Sequence, residues 1–227
     1  MQPYFSPYLG YWQLINAVDK FILFDDVSFI KQGFVNRNTI MAQGNSQQIN
    51  LQINAISSNK LILEHEVNNN FKWKKNLLKT IQQNYSKAKY FIEVFPLIER
   101  IIYFTDNNLS SYLENQIIEV SKYLAIETKI RKSSVFYPNN RLKGQERIID
   151  ICSQESASTY INAIGGINLY SKEEFKRNNI ELKFIKMDNI KYSQFSNEFI
   201  SNLSIIDVMM FNSVEEIKKF LNRYTLV

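Results

Sequence analysis

Across residues 69–125 the chain carries three successive segments with apolar side chains at helix spacing and no glycine among them. Trp73, Leu77, Leu78 and Ile81 form one stripe. Phe91, Val94, Phe95, Ile98, Ile101 and Ile102 form a second, and Leu113, Ile117, Val120 and Leu124 a looser third. Residues three and four apart share one helix face, so each segment must bury a side against something. The spacing predicts helices over 73–85, 91–104 and 113–124, packed as a layer.

The flanks have a different rhythm. Residues 8–18 place Leu9, Trp12, Leu14, Ile15 and Val18 at helix spacing, and 21–24 is a short apolar run closed by Asp25-Asp26. A run of that kind reads as a buried strand. Residues 48–53 alternate like a half-buried strand, and 61–67 do so more weakly. Beyond the layer, strand patterns at 127–133, 159–164 and 180–186 alternate with helix patterns at 141–152, 171–178 and 213–221. Ser171 and Ser213 stand three residues ahead of Glu174 and Glu216, the spacing of a capping box. This alternation predicts an α/β fold, a Rossmann-like parallel sheet with a helical layer or insert. The expected division is 1–68 and 126–227 as two parts of one α/β domain, with 69–125 as the helical segment.

Composition bounds what such a chain can do. At 45% hydrophobic and 22% charged residues it has the apolar content for a core and is no disordered tail. One cysteine excludes a disulfide framework, and one histidine excludes a His-rich metal site, so no metal is expected. No apolar run approaches the roughly 18–20 residues a membrane helix needs. The start lacks a basic stretch followed by an apolar one, so no signal peptide is read there and a cytoplasmic location is expected. The net charge of +5 permits a phosphate-bearing ligand, and no nucleic-acid motif accompanies it.

The sharpest local feature is Gln2-Pro3-Tyr4-Phe5-Ser6-Pro7-Tyr8-Leu9-Gly10-Tyr11. Two prolines stiffen a loop, and Gly10 leaves the first helical turn bare, which suits a phosphate or carboxylate. Tyr4, Tyr8 and Tyr11 add hydroxyls and stacking faces; the plainer reading makes them core plugs in a Pro-bounded turn. The layout is similar to the loop-helix-strand of nucleotidylyltransferases with an HxGH signature, but tyrosines stand where that signature has histidines. Asp25-Asp26 at a strand end could orient a ligand hydroxyl or act as a base, with one of the two facing the site. Lys31, Asn36, Arg37 and Asn38 read as one basic loop able to bind an anion. Gly165-Gly166 reads as a backbone approach to a ligand or a tight turn. Cys152, on the apolar side of a helix pattern, reads as structural.

At this point the chain resembles a known family. The run QPYFSPYLGYWQLINAVDKFILFDDVSFIKQGFVNRNTI resembles the opening of the WbqC-like protein family, with its Gln-Pro loop, DDV and NRN elements. Tyr160-Ile161-Asn162 to Gly165-Gly166, residues 195–199, and Leu203-Ser204-Ile205-Ile206-Asp207 extend the likeness. It falls on Gln2, Pro3, Tyr4, Pro7, Gly10, Tyr11, Asp25, Asp26, Lys31, Asn36, Arg37, Asn38, Gly165, Gly166, Ser204 and Asp207. It also implies a strand ahead of Gln2, of which Met1 alone is present, so an incomplete sheet centre is expected. The resemblance implies a role in making or decorating a sugar for O-antigen or a similar surface polysaccharide.

The reading that follows is a transferase placing an acyl or aminoacyl group on the amine of a nucleotide-linked amino sugar. Asp25, Asp26, Tyr11 and Lys31 are the candidate catalytic residues. Gln2, Tyr4, Tyr8, Gly10, Asn36, Arg37, Asn38, Gly165, Gly166, Ser204 and Asp207 are the candidate binding residues. The co-reactant would be an activated acyl or aminoacyl donor, with a tRNA donor left open, and homo-oligomerisation is also left open. The competing readings are a nucleotidylyl or adenylating enzyme and a non-catalytic partner of a sugar-nucleotide enzyme.

Overall fold

A computed structural model describes residues 1–196 and 198–227. Asn197, inside the 195–199 stretch of the family likeness, lies outside the described residues. The first part holds α1 (Leu9–Asn16), β1 (Lys20–Leu23), β2 (Arg37–Ala42) and β3 (Asn45–Asn50). Three long helices follow: α2 (Phe71–Tyr85), α3 (Phe91–Ile102) and α4 (Leu109–Leu124). The last part runs β4 (Lys129–Lys132), α5 (Ser133–Phe136), α6 (Gly144–Gln154), β5 (Thr159–Ala163) and α7 (Lys172–Arg177). It closes with β6 (Glu181–Met187), α8 (Ile205–Phe211), α9 (Val214–Leu221) and β7 (Tyr224–Leu226). None of the described helices is long and apolar enough to cross a membrane.

Helix starts follow their capping chemistry. Asn70 accepts from the Lys72 amide ahead of α2, and Asn108 accepts from Ser111 ahead of α4. Ser213 and Glu216 form a full capping box at α9, while Ser171 accepts from the Glu174 amide at α7. Each such cap satisfies a backbone N–H that the helix itself leaves open.

The fold is α/β, with parallel pairing between β1 and β4 and between β5 and β6. It departs from one continuous parallel sheet. β2 and β3 form a separate antiparallel hairpin, and β7 adds to β6 antiparallel. The hairpin is local: Gln43 and Gly44 both have positive φ, 49° and 79°, in a two-residue turn of the kind that matches strand twist. Arg37 and Asn38 therefore open a strand rather than sit in a loop. Residues 61–67 also differ from expectation. Ile62–Glu64 is a short 3-10 turn, because the Glu64 carboxylate accepts from the Leu61 amide (2.6 Å) and His65 bonds the Leu61 carbonyl (2.8 Å). Such local side-chain bonds outcompete strand pairing. Gly165 and Gly166 lie in a second 3-10 stretch, Ile164–Leu169, not in a tight turn.

One large apolar core draws on both flanks and the helical layer, including Trp12, Leu23, Ile81, Leu113, Met209 and Ile217. A smaller one joins α6, α7 and β6 through Ile148, Cys152, Phe175, Leu182 and Phe184.

Two ion pairs fix the direction of α6. Arg147 near its start meets Asp26 past the end of β1, and Glu155 just beyond its end meets Lys20 at the start of β1. The helix thus runs antiparallel to β1, and β5 turns back in the direction of β1. Met1 continues the pattern: its amine donates to the Ile22 carbonyl (2.9 Å) and its carbonyl accepts from the Phe24 amide (2.8 Å). That is one rung of a parallel ladder, with Met1 opposite Leu23.

Burial, and then the charge of Arg147, push the Met1 amine from 8.0 to about 5. The unfolded chain then binds this proton more readily than the folded one, so the contribution to stability rises with pH. It is lowest below about pH 5, climbs between 5 and 8 and is complete above 8. Melting temperature should climb through that window for the chain with a free Met1 amine. Acetylating the amine should flatten the climb in the same buffers.

Candidate functional site

Parallel strands deliver their following residues to one edge. Asp25-Asp26 follow β1 and Ser133-Ser134 follow β4, its parallel neighbour, so the four residues meet. Asp25 is buried and accepts from Ser110 Oγ (2.6 Å), Ser134 Oγ (2.6 Å) and the Ser134 amide (3.0 Å). Ser133 Oγ lies between the two carboxylates, 3.2 Å from Asp25 and closer to Asp26, with one proton to give. Asp26 also accepts from Arg147 (2.5 Å), in a pair whose side chains are 8% and 7% exposed. The Arg147 guanidinium stacks over Phe24 at 5.2 Å and donates Nε–H to Asn139 (3.0 Å).

A carboxylate has about four acceptor positions. Asp25 has three firm donors and Ser133 against the fourth position. Asp26 has two donors and two positions left. The neighbouring aspartates therefore differ: Asp25 holds the first turn of α5, directly after β4, and Asp26 keeps capacity for a further N–H or O–H.

The loop from Gln2 to Tyr8 leaves Met1 at this same strand-end edge. It is held from both sides. Asn38 donates to the carbonyls of Phe5 (3.0 Å) and Ser6 (2.8 Å), and Gln116 on α4 accepts from the Ser6 amide (3.0 Å) and donates to the Tyr4 carbonyl (3.1 Å). Ser6 sits at φ 42°, left-handed backbone that a non-glycine residue holds only when its surroundings force it. Tyr11 is buried and its hydroxyl donates to the Gln2 carbonyl (2.9 Å). The Tyr4 ring packs between Tyr11 (5.5 Å) and Phe34 (5.8 Å). Gly10 is covered by the Tyr8 ring, which a Cβ there would meet at 2.6 Å.

The other candidates fall into three places. Lys31 is exposed. Arg37 gives its hydrogen bonds to the carbonyls of Gly33 (3.1 Å) and Gln32, and Asn36 bonds the Leu51 carbonyl (3.3 Å), so both pin the 30–36 loop and the hairpin. Gly165 is exposed with open space where a side chain would be, while Gly166 abuts the Asn162 amide at 2.9 Å. Ser204 caps α8 and donates its amide to the Thr39 carbonyl (2.8 Å). Asp207 is buried and accepts from Tyr85 (2.7 Å), Tyr192 (2.7 Å) and Gln194 (2.8 Å).

Ser110, Ser133, Ser134, Gln116 and Arg147 were not among the sequence candidates. Two signals pointed to part of the set. Ser133-Ser134 end a strand pattern just as Asp25-Asp26 do, and Arg147 falls on the apolar side of the 141–152 helix, four residues before Ile151. Cys152 is buried, and burial pushes its thiol to about 11, so it is no nucleophile at neutral pH. No group of His, Cys, Asp and Glu suited to a metal ion occurs among the described residues.

The sequence model of the WbqC-like protein family matches residues 2–219. The uncharacterized protein Rv1507c of Mycobacterium tuberculosis is 25% identical over 224 residues, covering 97% of this chain and 95% of its own length. No solved structure matches.

Proposed function

The chain belongs to the WbqC-like protein family, and from that premise we propose that it is a transferase of surface-polysaccharide synthesis. It places an acyl or aminoacyl group on the amine of a nucleotide-linked amino sugar. A cytoplasmic site of action goes with this reading, since that is where activated sugars are made.

The observation that carries it is the unequal pair of aspartates at the parallel strand ends. Asp25 is filled by serine donors, whereas Asp26 has acceptor capacity left and a guanidinium beside it. In the reaction the sugar amine attacks the donor's carbonyl carbon and a C–N bond forms. The proton of the attacking nitrogen passes to the Asp26 carboxylate. The bond from the carbonyl carbon to the leaving group breaks, and that group leaves with the electron pair and takes up a proton. Arg147, stacked on Phe24, fixes the carboxylate and offers its remaining N–H groups to the substrate's phosphate oxygens. Tyr11 supports the loop rather than the chemistry, because its hydroxyl already serves Gln2.

The test incubates the chain with nucleotide-linked amino sugars and acyl-thioester or aminoacyl-tRNA donors, with product mass as the readout. An acyl mass gain on the sugar amine is expected, lost in Asp26→Asn while nucleotide-sugar binding persists. Absence of any mass gain across the donors, with no nucleotide-sugar binding by calorimetry, would overturn the reading.

A further inference from the structure

Three segments leave the C-terminal edge of the parallel strands: 24–36 after β1, 133–143 after β4 and 164–171 after β5. They stand side by side. Ser133 and Ser134 bond Asp25, which joins the first two. The Ser171 amide donates to Gln145 (2.6 Å) near the start of α6, whose Arg147 reaches Asp26, which joins the third. Of the fourteen exposed large apolar side chains among the described residues, seven lie in these segments. Ile30 and Phe34 come from the first, Val135 and Phe136 from the second, and Ile164, Ile167 and Leu169 from the third. Keeping such side chains in water is unfavourable, and seven at one edge exceed the scattered exposure of an ordinary surface. The opposite edge differs. There the residues leading into β1, β4 and β5 expose Asp19, Ala125, Glu127, Ser156 and Ser158, and no large apolar side chain.

The same segments are basic. They expose Lys31, Arg141 and Lys143, while their carboxylates, Asp25 and Asp26, are turned inward to serines and Arg147. The first turns of α6 and α7 add Lys172 against Glu146 and Glu173, with Glu174 paired to Arg177, so cations still outnumber anions. We infer that this edge is a membrane-docking face that takes the surface of an anionic lipid bilayer. Charge complementarity selects that occupant: the cations meet headgroup phosphates, and the apolar side chains enter the layer just beneath. Apolar groups and cations alternate here, as in Ile30-Lys31, and do not form the charge-depleted centre typical of a protein interface. Docked this way, the chain turns the edge that holds Asp26 and Arg147 to the headgroup layer. Such docking requires no transfer chemistry, so it can be read with no sugar or donor present.

The test floats the chain with vesicles of phosphatidylcholine, alone or with about one-third phosphatidylglycerol. The anionic vesicles should carry the chain and the neutral ones far less, and raising salt from about 0.05 to about 0.5 M should release most of it. Val135→Ser with Leu169→Ser replaces side chains that are 64% and 71% exposed, and should cut the bound fraction about fivefold or more with melting temperature held. Arg141→Glu with Lys143→Glu should cut it as far. Lys129→Glu with Lys218→Glu makes an equal change in net charge away from this edge and should keep most of the binding. No flotation with the anionic vesicles would overturn the inference, as would equal losses from the two charge pairs or no loss from the Val135 and Leu169 pair. A dimer in sedimentation that the Val135 and Leu169 pair dissolves, with no vesicle binding, would assign the edge to a second copy instead.

Discussion

An Arg147→Ala chain should lose about 3–5 kcal/mol of stability, the usual cost of removing one partner of a buried ion pair. The loss has three physical parts. Asp26 stays behind with its charge nearly excluded from water and only Ser133 donating to it. Phe24 loses the guanidinium stacked on its ring, and Asn139 loses its Nε–H donor. Urea unfolding midpoints measure the effect directly. Arg147→Ala combined with Asp26→Ala should recover part of the loss, since no charge is then stranded. If the double variant were no more stable than the single one, packing over Phe24 rather than charge would be the main contribution of Arg147.

Asp207→Ala should be comparably severe, at about 3–5 kcal/mol, because several donors lose a charged acceptor worth about 1.5–3 kcal/mol each and the losses overlap. Tyr85, Tyr192 and Gln194 all converge on this carboxylate. Burial pushes the Asp207 carboxyl above its usual range, while the three donors pull it back. Tyr85 in turn accepts from the Met41 amide, so the loss spreads to β2. Asp207→Asn keeps one acceptor oxygen and should cost less than half as much. Thermal unfolding of the two variants separates acceptor loss from lost volume. An alanine variant that melts like the parent would show that the tyrosine hydroxyls find other acceptors.

The part of the fold set by local chemistry was legible from the residues. The helical stripes at Trp73–Ile81 and Phe91–Ile102 became α2 and α3, and Ser213 and Glu216 made the capping box their spacing implied. β2 was missed because its opening, Arg37-Asn38, looks like a polar loop, although Asn38 is buried to hold the carbonyls of Phe5 and Ser6. The 61–67 stretch was misread because one glutamate and one histidine bind the backbone around Leu61 and turn a strand pattern into a 3-10 turn. The strand-end rule placed Asp25-Asp26 correctly at the end of a parallel strand. It could not say that Asp25 would be filled by Ser110 and Ser134, which lie 85 and 109 positions away. Partners at that separation leave no periodicity to read.

The clamp on the Gln2 to Tyr8 loop also sets an order of events in folding. Its two holders, Asn38 and Gln116, stand about 32 and 110 positions from the residues they bind. Contacts that close such long stretches of chain form late, because the entropy of the loop is surrendered before the contact returns anything. The α2–α4 helices and the β2–β3 hairpin can nucleate from near neighbours. Ser6, however, reaches its left-handed backbone only once α4 and β2 have both docked around it. Exchange protection of the Ser6 amide should accordingly appear as a slow kinetic phase, after helical circular dichroism has recovered, and a chain trapped before docking will look folded by that signal yet leave this amide open.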